Sequence, residues 1–269
     1  VPAESQGLSL VKAHAYGNDF LLAVGIDPGA VGDIADLARR ACDRHQGVGA
    51  DGLLFVTETT SGARMHLRNA DGSPSELSGN GVRCVGAWLA WVRALPDGSE
   101  LTVETEAGPK HLTLVAHGPR RFTFRADMGA PEELRRVELT VGAEAVSAVT
   151  MRIGNPQCVV LGAATEARLH QIGSRLAVHP HFPQGTNVEL AEVISPELLR
   201  ILIWERGVGP TTSSGTGTCA AAVAAAAYGG ASRTLDVAAP GGTQAVEWTD
   251  AGLTLTGWAE LVGRIEWWR

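Results

Sequence analysis

Cysteine is scarce in this 269-residue chain: Cys42, Cys84, Cys158 and Cys219 stand far apart, with no CxxC pair. That spacing argues against a zinc cluster or a small disulfide framework, so the four are expected as reduced thiols. Positive charge is also short, with 22 Lys and Arg against 29 Asp and Glu and a formal net charge of −7. Neither nucleic acid nor an anionic membrane is expected as a partner. Long apolar runs are missing: the longest, AAAVAAAAY at 220–228, is far below the roughly 18 residues a membrane span needs. The opening VPAESQGLSLVKAHAYGNDF has no basic stretch followed by an apolar one, so no secretory leader is expected and the expected location is the cytoplasm.

What is present reads as a globular chain. Hydrophobic residues make up 45% and charged residues 19%, enough to build a packed core. The length suits one large domain or two of about 130 residues. With 33 glycines and 13 prolines the chain is rich in turns, and segments such as LTVETEA, RFTFRAD, AVSAVTMRI and LTLTGWAEL read as short strands. Helices are expected at DIADLARRACDRH from Asp33, at 82–93, at SPELLRILIW from Ser195 and at TCAAAVAAAAY from Thr218. Ser195 followed by Pro196 is a good N-cap and N1 pair.

A long-period repeat organises the rest. Ser78-Gly79-Asn80-Gly81 and Ser214-Gly215-Thr216-Gly217 each precede an apolar helix, 214 − 78 = 136 residues apart. Gly17-Asn18 and Gly154-Asn155 stand 137 apart, as do Arg68-Asn69 and Glu205-Arg206. Three such offsets suggest two similar halves related by a pseudo-two-fold, with the two loops facing each other across one cleft. Glycines let a backbone approach a ligand closely, and a helix N-terminus presents unpaired N–H groups and partial positive charge. Such loops could hold a carboxylate and stabilise the charge that develops when its neighbouring carbon loses a proton. Either serine alone reads equally as a plain N-cap; the matched upstream Asn and Arg residues favour the functional reading.

These residues resemble the cofactor-independent diaminopimelate epimerase family. The similarity runs through HAYGNDF at 14–20, HQGVGADGLLF at 45–55, NADGSPSELSGNGVRC at 69–84, GNPQCVV at 154–160, GTNVEL at 185–190 and ERGVGPTTSSGTGTCAAAVAA at 205–225. The resemblance implies an α+β fold of two pseudo-symmetric lobes, each a curved, mostly antiparallel sheet around a central helix, with the active site in the cleft between them. It places the first lobe at 1–118 with a returning C-terminal segment at about 259–269, which RIEWWR could supply, and the second at 119–258. It implies inversion of one α-carbon of LL-diaminopimelate to the meso form, in lysine and cell-wall synthesis, with neither pyridoxal cofactor nor metal. Family members often pair through the first lobe, so a homodimer is also an expectation.

Carried over by motif, the groups that hold substrate are Asn18, Asn69, Asn155, Asn187, Glu205 and Arg206, with the loop N–H groups of Gly79, Asn80, Gly215 and Thr216 on the reacting carboxylate. Arg206 could grip the distal carboxylate bidentately. The departures fall where the chemistry should be. The family's two catalytic cysteines align with Ser78 and Ser214, and a histidine near the site is Gln157. Gly52 replaces a polar side chain found in some relatives. A serine hydroxyl is a far weaker acid than a thiol and needs a neighbouring base, which Glu205 could supply at Ser214. Three altered positions in one site point to natural divergence rather than designed removal of thiols.

The remaining candidates read more plainly. Cys84 and Cys219 fall inside helices as core residues, and Cys158 is at most a neighbour of the site. His14 and His45 read as structural rather than as replacement bases, and Trp88, Trp91, Trp258, Trp267 and Trp268 as packing residues. Three functions stay open: the epimerisation, carried by Ser78, Ser214 and Glu205; a different proton-transfer isomerisation, racemisation or dehydration of a related amino acid; and a binding protein that has lost catalysis.

Overall fold

The computed structural model describes residues 7–75 and 77–268. Residues 1–6, where the reading against a leader begins, Glu76 within the first serine motif and Arg269 of RIEWWR lie outside the described residues. The architecture is mixed α/β, mostly strands with four α-helices among the described residues. The chain divides into two compact units, residues 1–126 with 258–269 and residues 127–257.

The first unit holds β1 (Leu8–Ala15), β2 (Asn18–Val24), α1 (Ile34–Cys42), β3 (Gly52–Thr59), β4 (Gly62–Asn69), β5 (Pro74–Ser75), α2 (Gly79–Val92), β6 (Glu100–Thr105), β7 (Gly108–His117) and most of β8 (Arg121–Gly129). The second holds β9 (Glu132–Val141), β10 (Glu144–Ile153), β11 (Asn155–Leu161), α3 (Glu166–Ala177), β12 (Asn187–Ser195), β13 (Leu198–Glu205), β14 (Gly209–Thr211), α4 (Gly215–Tyr228), β15 (Thr234–Ala239) and β16 (Gly242–Thr249). The last strand, β17 (Gly252–Trp267), begins in the second unit and ends in the first, where it pairs with β1.

In the first unit β2 and β3 are parallel, with Phe20 opposite Gly52, and β3 pairs antiparallel with β4 through Gly52 and Asn69. The second unit repeats this pattern: β11 and β12 are parallel, with Gln157 opposite Asn187, and β12 runs antiparallel to β13. Helix α2 is apolar nearly all round and buries Val82 through Ala90, as expected of a helix enclosed by sheet. Helix α4 does the same with alanines, burying Cys219 through Ala225 among Val159, Ala191, Ile201 and Ile203. Cys158, Val188 and Leu190 point to the opposite face, beneath Leu169, Ile172 and Leu176 of α3. This alternation follows the two-residue period of a strand.

The helix expected from Ser195 is instead strand β13. Leu199, Ile201 and Ile203 are buried while Arg200 is exposed, a period of two that pairing with β12 and β15 enforces. The apparent N-cap is a turn, in which Ser195 Oγ accepts the Glu197 N–H at 3.3 Å. Conversely α3 carries no helix expectation, although Thr165 caps it and its inward residues follow helical spacing. Trp91 (42% exposed) and Trp268 (77%) are surface residues, which corrects their reading as packing residues; Trp88 is buried and Trp258 lies under the Arg121 guanidinium. No helix among the described residues is long and apolar enough to cross a membrane.

Candidate functional site

Ser78 and Ser214 occupy the same local geometry. Each is extended (φ −133°, ψ 116° and φ −143°, ψ 126°) and is the N-cap of its helix. Ser78 Oγ accepts the Gly81 N–H at 3.0 Å, and Ser214 Oγ accepts the Gly217 N–H at 3.2 Å. The backbone carbonyls of the two serines take the Val82 and Thr218 N–H groups. The N–H groups of Gly79 and Asn80, and of Gly215 and Thr216, fall in the first turn, where a helix offers them no acceptor of its own. Both capping roles and anion-ready helix ends are therefore present together.

In the first unit the Asn80 amide donates to Asn18 Oδ1 at 3.1 Å, and Asn18 donates to Asp51 Oδ2 at 2.8 Å. Arg83 donates to Asn80 from below. Asn69, at the end of β4, donates to Ser73 Oγ at 3.0 Å and closes its own turn. Asp51 belongs to a charged cluster that the sequence reading missed: Arg44 bridges Asp19 at 2.8 Å and Asp51 at 2.7 Å, and Lys12 contacts Asp19. Burial would raise the Asp19 carboxyl, but hydrogen bonds from Arg44 and Lys12 outweigh it and hold the group at about 2. A depressed carboxyl stabilises the fold above its unfolded pKa and loses that contribution as pH falls through its folded value. The expected result is a loss of about 2 kcal/mol between roughly pH 4 and pH 2, absent in Asp19→Asn. Chemical denaturation across that range measures it.

In the second unit Gln157 is fully buried and donates through Nε2 to Asn155 Oδ1. It therefore holds the side chain of Asn155. Asn187 is buried and accepts the Arg206 backbone N–H at 3.0 Å. The exposed Arg206 side chain donates to the Gln184 carbonyl at 2.6 Å, and its stem runs over Gly185. A Cβ on Gly185 would lie 2.7 Å from Arg206 Cδ, and the backbone there has φ +73°, so only glycine suits the position. Glu205 is half-buried at the end of β13.

Glu189 was also missed. Its side chain is wholly buried, and neither carboxyl oxygen has a hydrogen-bond partner among the described residues. Burial and the like charge of Glu205 push this carboxyl well above the usual range. Its signal in the sequence is a charged residue at an inward position of the NVELAEV strand. All four cysteines are buried and none is in a disulfide among the described residues, and burial pushes the Cys84 thiol up to about 12. Cys158 faces away from Gln157, under α3. His14 accepts the Gly17 N–H and stands edge-on to Trp258. His45 is exposed in a turn capped by Asp43. Among the described residues no group of three or more His, Cys, Asp or Glu could hold a metal ion. A surface hollow of about 380 Å³ lined by Arg39, Arg40, Asp43, Gln46, Trp267 and Trp268 contains none of these site residues.

Known proteins agree with this arrangement of motifs. The sequence profile of the family described as diaminopimelate epimerase matches residues 10–134 and 149–262. The diaminopimelate epimerase of Desulforudis audaxviator is 41% identical, over 90% of this chain and 92% of that protein. The chloroplastic enzyme of Oryza sativa is 33% identical, over 96% of this chain and 79% of its own. Among solved structures, a hydroxyproline epimerase from Agrobacterium vitis superposes with a TM-score of 0.69 at 16% identity, covering 97% of this chain and 91% of that one. A Bacillus anthracis phenazine biosynthesis protein of the PhzF family gives 0.71 at 16%, covering 97% and 98%. Those two share the fold. The profile and the sequence relatives establish more: this chain belongs to the diaminopimelate epimerase family, whose members are amino-acid isomerases.

Proposed function

We propose that the protein inverts one α-carbon of LL-diaminopimelate to the meso form, with Ser78 and Ser214 in the two proton-transfer positions. The observation that carries this reading is the matched pair of serine-capped helix N-termini, each with its hydroxyl oxygen fixed by the third amide of its helix. Epimerisation needs an acceptor on one side of the carbon and a donor on the other, and the reading gives one role to each serine.

At Ser214 the α-proton passes to Oγ as the hydroxyl proton passes to Glu205, and the electron pair of the broken C–H bond stays on the carbon. The first-turn N–H groups of both helices stabilise the charge that spreads onto the adjacent carboxylate. On the opposite side Ser78 delivers its hydroxyl proton to the carbon and recovers one from solvent. Arg206, Asn187, Asn155 and Asn69 hold the distal ammonium and carboxylate, with Arg206 pre-aimed by the Gln184 carbonyl. Glu205 has Arg68 as its counterpart 137 residues earlier, so the Ser78 side is the slower acceptor.

The test is incubation with LL-diaminopimelate in deuterated water, following α-deuterium by mass spectrometry and stereoisomers by chiral separation. Deuterium in a meso product is expected. Exchange without inversion would leave only one competent serine and defeat the two-sided reading; ligand binding with neither exchange nor inversion would make the chain a binding protein.

A further inference from the structure

Glu189 stands on β12, two residues after Asn187. Val159, Ala191 and Ile203 lie on the α4 face of the sheet, and the strand register puts Glu189 beside Val159 and Ile203. Gln157, Asn187 and Glu205 share that face by the same two-residue period. A Cβ built on Gly217 would lie 2.5 Å from Glu189 Oε1. The carboxyl thus sits against the third residue of α4, the one whose N–H is accepted by Ser214 Oγ.

The first unit shows what the fold itself asks for at this place. Leu54 follows Gly52 by two residues on β3, as Glu189 follows Asn187, and a Cβ on Gly81 would lie 3.5 Å from Leu54 Cδ1. Gly81 is the residue whose N–H is accepted by Ser78 Oγ. Leucine therefore fills beneath one serine loop the position that a carboxyl fills beneath the other. A buried carboxyl without a hydrogen-bond partner is expensive, and packing alone gives no reason to keep it where leucine suffices. Of the titratable groups on the elements packed around Glu189, Glu205 on β13 is the one whose charge raises it; Cys158 on β11 faces away, Cys219 lies within α4, Tyr228 ends α4, and Glu192 and Arg200 pair with each other. A second buried negative charge beside Glu205 is disfavoured, so Glu189 is the carboxyl that keeps its proton.

We infer that Glu189 is a positioning residue for the half-reaction at Ser214: it lies as a neutral carboxyl against Gly217, beneath the Ser214 loop, and leaves Glu205 as the charged carboxyl that serves as base. This rests on the reading of Glu205 as the base for Ser214. It makes the two sides of the site chemically unequal: a carboxyl pair serves Ser214, and Leu54 keeps the corresponding place at Ser78 apolar.

Two measurements test it. In kinetics with LL-diaminopimelate across pH, Glu189→Gln, which keeps a neutral polar group of the same size, should hold kcat at neutral pH within threefold of the parent, with KM within twofold because the side chain lies too deep to touch substrate. The alkaline fall in kcat that marks loss of the Glu189 proton should vanish in Glu189→Gln, whereas Glu189→Leu, which leaves no polar group under Gly217, should lower kcat at least tenfold. Variants within twofold of the parent that keep the alkaline limb would overturn the inference while leaving the epimerase reading standing. Infrared spectroscopy needs no turnover: the parent should show a protonated-carboxyl band that Glu189→Gln removes and whose titration Glu205→Gln shifts to lower pH. A band absent, or indifferent to Glu205→Gln, would overturn the inference even if the epimerase reading had already failed for lack of exchange.

Discussion

Replacing Ser78 and Ser214 together by cysteine should raise kcat/KM for diaminopimelate epimerisation by about 10²- to 10⁴-fold, the usual range for a well-matched acid or base. Both side chains already sit at helix N-termini with the first-turn amides around them. A thiol starts near a pKa of about 8.5 and is lowered further by such a site, whereas a hydroxyl depends on Glu205 on one side and has no carboxyl counterpart to it on the other. The gain should come mainly in kcat, since Asn155, Asn187 and Arg206 are untouched. Stability should move the opposite way, because the serines also cap their helices and loss of a good cap costs about 1 kcal/mol each. Steady-state kinetics beside thermal unfolding reads both. A double variant no faster than the parent would show that the hydroxyls are not the limiting groups.

The second large effect is on stability against pH. Glu189 is raised above the ordinary carboxylate range by burial and by Glu205, so the folded state binds a proton that the unfolded state has released. The contribution of such a group is fully present below its unfolded pKa, near 4.3, and is lost as pH rises through the raised folded value. Within that window the parent should lose about 1.4 kcal/mol of stability per pH unit relative to Glu189→Gln, which has no proton to lose. Asp19 works in the other direction below about pH 4. The parent should therefore be most stable in mild acid, and Glu189→Gln should extend that plateau towards neutrality. Urea unfolding at a series of pH values checks it; parallel curves for parent and variant would mean that Glu189 is ionised in the folded protein.

What could be read without coordinates was whatever depends on local pattern. The two Ser-Gly-x-Gly loops, the apolar helices behind them and the repeat near 137 residues follow from residue identity, because glycine, cap and helix rules act within a few residues of sequence. The composition of SPELLRILIW, by contrast, fits a capped helix as well as a strand, and only pairing with β12 and β15 decides for strand. Helix α3 carries its signal in Leu169, Ile172 and Leu176, but the glycine and polar residues among them mask it.

The sequence by itself determined the family, the two matched Ser-Gly-x-Gly motifs and the Asn and Arg residues at matched offsets around them, since each is a matter of which residue stands in which motif. Tertiary structure decided what each of these touches. Gln157 became a support for Asn155, the Asp19, Arg44 and Asp51 cluster was drawn together from three segments, and Glu189 was set beneath the loop of Ser214 while Leu54 took the equivalent place under Ser78. Burial and the nearness of a second charge arise only when strands are laid side by side, and those two quantities govern where a carboxyl keeps its proton.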